Sequence, residues 1–170
     1  MDRWADVRAW WPGTIAAVPE ELVGPQFTPE TRAFLTTVGL PTSCPLTTLT
    51  FYRDERLRTP IVRGGRTYVA FGDDLGLVPF VVEAGRDEVY DLLPRTEARG
   101  RFVSSTVADF VYSLGLFCSR LPQLRAASDA ELKVLVRRLR TQLTARDRQA
   151  MADRDHWWPR LLGQTLERFV

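Results

Sequence analysis

The sequence is poor in the residues that usually carry chemistry. It has one histidine, His156, and two cysteines, Cys44 and Cys118, in 170 residues. Two cysteines are too few for a disulfide framework, and a Pro-flanked loop and an apolar helix as their settings suit reduced thiols in a cytosolic chain. Neither cysteine has a second one at zinc-finger spacing, and no Gly-rich phosphate loop or nucleophile elbow is present. His156 has Asp153 and Asp155 beside it, a thin ligand set at a solvated helix start, so no metal site is expected. Long apolar runs are also missing. The longest, Leu77 to Val82, is interrupted by Pro79 and falls far short of the ~18 residues a membrane span needs. The N-terminus lacks the apolar stretch of a signal peptide, so no membrane association is expected. Lysine is nearly absent: of 23 basic residues only Lys133 is not arginine. GC-rich coding produces that skew, which weakens any arginine cluster as a sign of phosphate binding.

What remains is the composition of a folded domain. Hydrophobic residues make up 45% and charged residues 26%, with a formal net charge of +2. A chain of this length buries enough surface to fold as a single domain, residues 1–170, without a disulfide or a metal. The near-zero total conceals a division. Residues 1–120 hold 13 arginines against 15 acids, a net of −2, and residues 121–170 hold 10 basic residues against 6 acids, a net of +4.

Periodicity orders the elements. A helix is expected from Asp2 to Trp11, with Trp4, Val7 and Trp11 on one face and Pro12-Gly13 as its stop. Thr28 caps a second helix with Pro29 at its first position; Phe34, Leu35 and Val38 are apolar, and Gly39 ends it. The period then changes to that of strands at Thr48–Tyr52, Thr67–Phe71, Leu77–Val82 and Glu88–Leu92. Gly72-Asp73-Asp74-Leu75-Gly76 and Ala84-Gly85-Arg86-Asp87 read as tight turns, which force antiparallel neighbours. Pro79 cannot donate to a ladder, so its strand is expected to be bulged or partly at an edge. A polar turn at Arg95–Arg101 leads to a helix capped by Ser104 or Ser105, carrying Val107, Phe110, Leu114, Phe117 and Leu121. Ser128 and Glu131 form a capping box for the next helix, and a last helix runs from Trp157 to Phe169. Helices at both ends of a strand run give an α+β fold, a small, mostly antiparallel sheet flanked by N- and C-terminal helices.

In this order the motifs resemble the SUKH superfamily, specifically its fourth subfamily of bacterial toxin-immunity proteins. The resemblance rests on Gly39-Leu40-Pro41 after a helix, Gly72-Asp73-Asp74-Leu75-Gly76 between strands, and Val89-Tyr90 after a Gly-containing hairpin. Phe102-Val103-Ser104-Ser105-Thr106 leading into Asp109-Phe110, and Trp157-Trp158-Pro159, complete it. It covers roughly residues 29–120 and the C-terminal helix; residues 1–28 and the Arg-rich helix 128–150 lie outside its clearest part. The resemblance implies a twisted, mostly antiparallel sheet. It also implies a protein that neutralises a cognate polymorphic toxin, commonly a nuclease or deaminase, by stoichiometric binding. The scarcity of chemical groups in the sequence leads to the expectation of a non-enzymatic, cytoplasmic protein without cofactor.

Other functions stay open. A scaffold or regulator binding a host protein would need the same kind of surface. A nucleic-acid binder would use the basic helix over residues 133–148, with Arg137, Arg138, Arg140, Arg146 and Arg148 as phosphate contacts. For the toxin-binding alternative, acids collect along the strand region, and an acidic edge would steer a protein towards a basic active-site groove. Asp73, Asp74, Asp87 and Glu88, on hairpin turns, are the expected contact residues.

Overall fold

The computed structural model describes residues 4–93 and 100–168. The expected helix start at Asp2, most of the polar turn from Arg95, and Phe169 at the end of the last helix lie outside the described residues. The α+β fold is as expected, with five α-helices among the described residues and every strand pair antiparallel.

Helix α1 (Ala5–Trp10) is short, and Val7 and Trp11 are buried. It rests on the middle of α3 (Val107–Ala126), where Gly115 lets the two helix backbones approach closely. A Cβ at Gly115 would sit 3.1 Å from the Trp11 ring and 3.3 Å from the Trp10 carbonyl carbon. Helix α2 (Pro29–Thr37) begins as its sequence demands: the Thr28 hydroxyl accepts the Thr31 N–H at 3.1 Å, and Phe34, Leu35 and Val38 are buried. Gly39 follows with φ +92°, the left-handed conformation that lets the chain turn into β2 (Leu40–Pro41) against β1 (Ile15–Ala16).

The main sheet has six strands rather than the four expected. Strand β5 (Arg66–Asp74) is its spine, pairing along one edge with both β3 (Leu49–Phe51) and β4 (Pro60–Arg63). On its other edge lies β6 (Val78–Glu83), followed by β7 (Val89–Asp91) and β8 (Arg101–Ser104). Because β3 pairs with Gly72, Asp73 and Asp74, these residues belong to the strand, and the turn shrinks to Leu75-Gly76-Leu77. Pro79 lies in an interior strand rather than at an edge, and the bulge falls in the partner strand, between Ala70 and Gly72. The Pro79 carbonyl still accepts the Leu92 N–H at 3.0 Å just past the last residue of β7, so the absent Pro79 N–H costs the ladder one bond at its end.

Helix α3, with α5 (Trp157–Arg168), covers an aromatic layer on the sheet. Phe71 and Phe80 meet Phe110 at 5.8 and 5.0 Å between ring centres, and Trp157 reaches Phe80 at 5.7 Å. Trp158, fully buried, lies edge-on to Trp157 at 4.7 Å. Such edge-to-face stacks add to the burial energy of rings this large. Helix α4 (Asp129–Arg146) has the expected capping box and buries Leu132, Val136, Leu139 and Leu143.

The cap of α3 is Thr106, not Ser104 or Ser105. The Thr106 hydroxyl accepts the Asp109 N–H at 3.0 Å. Both serines are held elsewhere, donating to Asp147 just beyond α4. Asp147 is 5% exposed and accepts four hydrogen bonds: Ser104 Oγ at 2.8 Å, Ser105 N at 2.6 Å, Ser105 Oγ at 2.8 Å and Ala150 N at 3.1 Å. One carboxylate therefore fastens the end of β8 to the end of α4.

Candidate interaction surface

The four acids singled out in the sequence do not form one edge. Asp73 and Asp74 lie opposite Pro79 and Val78 at the start of β6, whereas Asp87 and Glu88 follow its end. Six strand residues at ~3.3 Å each separate the two pairs by roughly 20 Å.

Their surroundings differ as well. Asp73 is 6% exposed; Tyr52 donates its hydroxyl to Oδ2 at 2.6 Å, and the Gly76 N–H donates to Oδ1 at 2.7 Å. It is an internal brace for the hairpin. Burial and the neighbouring carboxylate push the Tyr52 phenol up to about 12, while the Arg56 guanidinium lies 3.7 Å over its ring. Asp87 accepts from the hydroxyls of Thr28 and Thr31, the second at 2.7 Å, and so fastens the β6–β7 turn to the start of α2. Glu88 is half-buried and forms no ion pair among the described residues.

Asp74 is half-buried, and its Oδ1 is buried with no hydrogen-bond partner among the described residues. It lines a cleft of about 140 Å³ with Arg101, Trp157, Arg160, Leu161 and Gln164. Most other acids of the strand region are occupied. Asp54 pairs with Arg56, Glu83 with Arg66 at 2.9 Å, and buried Asp91 with Arg101. Burial pushes the Asp91 carboxyl up and Arg101 opposes that shift.

The feature that sequence reasoning missed stands next to Asp74. Leu75 and Leu77, at the tip of the β5–β6 hairpin, are 66% and 68% exposed. Leu75 has φ +57°, the only non-glycine among the described residues in the left-handed region. Its N–H donates to the Thr48 carbonyl at 2.7 Å, which holds the tip against the segment preceding β3. A leucine in that conformation costs roughly 1–2 kcal/mol, and at this exposure burial offsets little of it. In sequence Leu75 reads as part of a polar turn and Leu77 as the start of the next strand, so the two do not show as one exposed apolar pair.

The basic helix is only partly a free arginine face. Arg146 turns inward, with Nε 2.6 Å from Asp109, a terminal nitrogen 2.5 Å from Asp6, and its guanidinium 4.4 Å over the Tyr112 ring. Arg137, Arg138, Arg140 and Arg148 remain exposed. Arg138 and Arg120 line an open groove of about 450 Å³ between α3 and α4.

The two thiols, which the sequence places 74 positions apart, meet with their sulfurs at 3.9 Å. The Cys118 S–H beside it lowers the Cys44 thiol, against the opposing effect of burial. The same contact, with burial, raises Cys118. His156 faces Phe102 at 5.0 Å and its Nδ1 lies 3.0 Å from the Gln149 carbonyl. No group of three or more potential metal ligands occurs among the described residues, and no described helix is long and apolar enough to cross a membrane.

No curated protein and no solved structure matches the chain. A family model described as SUKH-4 immunity protein, however, matches residues 6–164, which takes in both the N-terminal helix and the Arg-rich helix. That match extends over nearly all of the sheet, the hairpin tip and the helices around them, and the chain belongs to the SUKH-4 immunity protein family, whose role is toxin immunity.

Proposed function

We propose that the protein neutralises one cognate toxin, a nuclease or deaminase, by binding it stoichiometrically. The hairpin tip Leu75–Leu77 and the adjoining Asp74 are the centre of the contact. The observation that carries this reading is the pair of leucines held in solvent on a left-handed backbone. Two exposed leucines supply apolar area for an interface to bury, and the carboxylate beside them supplies polarity. Asp73 supports the surface from within by bracing the tip through Tyr52 and Gly76. Asp74 complements a basic toxin groove, and Asp87 with Glu88 forms a second, more distant acidic contribution at the other end of β6.

The test is co-expression with the toxin encoded beside this gene, followed by sizing of the purified pair. Growth rescue and a defined complex are expected for the wild type. The double variant Leu75→Ser/Leu77→Ser, folded by circular dichroism, is expected to lose both. Charge reversal at Asp74, compared with reversal at Glu88, assigns the acidic contribution to one end of the sheet, since Asp73 and Asp87 also brace the fold. Undiminished rescue by the leucine double variant overturns the placement, and no complex with the wild type overturns stoichiometric binding itself.

A further inference from the structure

Cys44 is half-buried in the irregular segment between β2 and β3, and Cys118 is 2% exposed in the middle of α3. Their sulfurs are 3.9 Å apart, so about 1.9 Å of closure separates contact from a bond of ~2.05 Å. The segment from Thr42 to Thr48 contains no helix or strand, so it can supply that movement while α3 stays fixed. We propose that Cys44 and Cys118 form a disulfide site, oxidised by exchange with a low-molecular-weight disulfide.

Access assigns the roles. Cys44 is the reachable sulfur, and its thiolate is favoured by the neighbouring S–H, the condition for a nucleophilic thiol. It attacks one sulfur of the small disulfide, whose S–S bond breaks; one small thiol leaves carrying the proton that Cys44 gave up. Cys118 then attacks the Cys44 sulfur of the mixed disulfide, and the second small thiol leaves with the Cys118 proton. Two electrons pass from the protein pair to the small disulfide, which becomes two thiols. Burial keeps Cys118 from reacting first, so it acts only as the resolving thiol. The product covalently joins α3 to the segment whose Thr48 carbonyl holds Leu75. The site stands whether or not the hairpin tip contacts a toxin.

The test is incubation of the native full chain with oxidised glutathione, an acid quench and intact mass measurement. The expected product is a monomer lighter by two hydrogens, with no thiol titrated after denaturation. Cys118→Ser is expected to stop at one glutathione adduct, and folded Cys44→Ser to remain unmodified. The equilibrium constant for ring closure is expected to exceed that of the urea-unfolded chain by about tenfold or more, because the fold holds the sulfurs together. A wild type that keeps a glutathione adduct, forms a disulfide-linked dimer or retains both free thiols at equilibrium overturns the proposal. So does equal closure in folded and unfolded chains. These readings use wild-type protein and remain decisive if a variant fails to fold.

Discussion

Replacing Asp147 by alanine removes the acceptor of four hydrogen bonds in a site that is almost closed to water. Two of the donors are hydroxyls, Ser104 and Ser105, which can rotate towards other partners. The other two are the backbone N–H groups of Ser105 and Ala150, and Ala150 is 2% exposed. Hydrogen bonds to a charged acceptor contribute ~1.5–3 kcal/mol each, so loss at the two amides alone predicts about 3–6 kcal/mol. For a chain of this size that is a fall of roughly 10 °C in Tm. Asp147→Asn keeps one acceptor oxygen but turns an NH₂ towards donors, and is expected to cost about 2 kcal/mol. Urea unfolding followed by tryptophan fluorescence measures both. Ser104→Ala should lose about 1 kcal/mol in the wild type and almost nothing in the Asp147→Ala background, since the partner is already gone. An Asp147→Ala variant within about 1 kcal/mol of wild type, or strict additivity in that cycle, refutes the clamp between β8 and α4.

Three further outcomes follow from the geometry. Leu75→Asn, which suits a left-handed backbone, should raise stability by about 0.5–1 kcal/mol in urea unfolding, while weakening toxin affinity at least about tenfold by calorimetry. Gly39→Ala puts a Cβ 1.8 Å from the Ala16 carbonyl oxygen at a φ of +92°, so it should lower unfolding stability by more than about 3 kcal/mol and reduce soluble yield. The Tyr52 phenol is raised from 10.0 to about 12, so the fold favours its protonated form. That stability is fully present below pH 10.0 and is lost as the pH rises through about 12, whereas Tyr52→Phe should lack this alkaline component when urea midpoints are compared across the range.

Much of the fold is legible where cause and effect are neighbours in the chain. Thr28-Pro29, the Ser128–Glu131 box and Gly39 act within one turn of a helix, and their side chains and dihedral preferences settle the boundaries. Strands β5 and β6 show as apolar runs because both are buried deep in the sheet. Strand β4 escaped notice because it opens on Pro60 and exposes Val62, although the Gly64-Gly65 pair, at φ +55° and +71°, is a sequence signal for its hairpin. The serines before α3 look like caps in one dimension, and only Asp147, 43 and 42 positions away, draws them from that role.

The order of motifs along the chain points to the family, and periodicity and local capping yield the α+β order of elements and the caps of α2 and α4, because each depends on residues a few positions apart. The tertiary structure decided which polar and apolar groups are free to act. It engaged Asp73 with Tyr52 and Asp87 with Thr28 and Thr31, drew Arg146 inward, left Leu75 and Leu77 in solvent, and brought Cys44 to Cys118. Charge and exposure at a surface depend on partners tens of residues away, and folding alone brings those partners together.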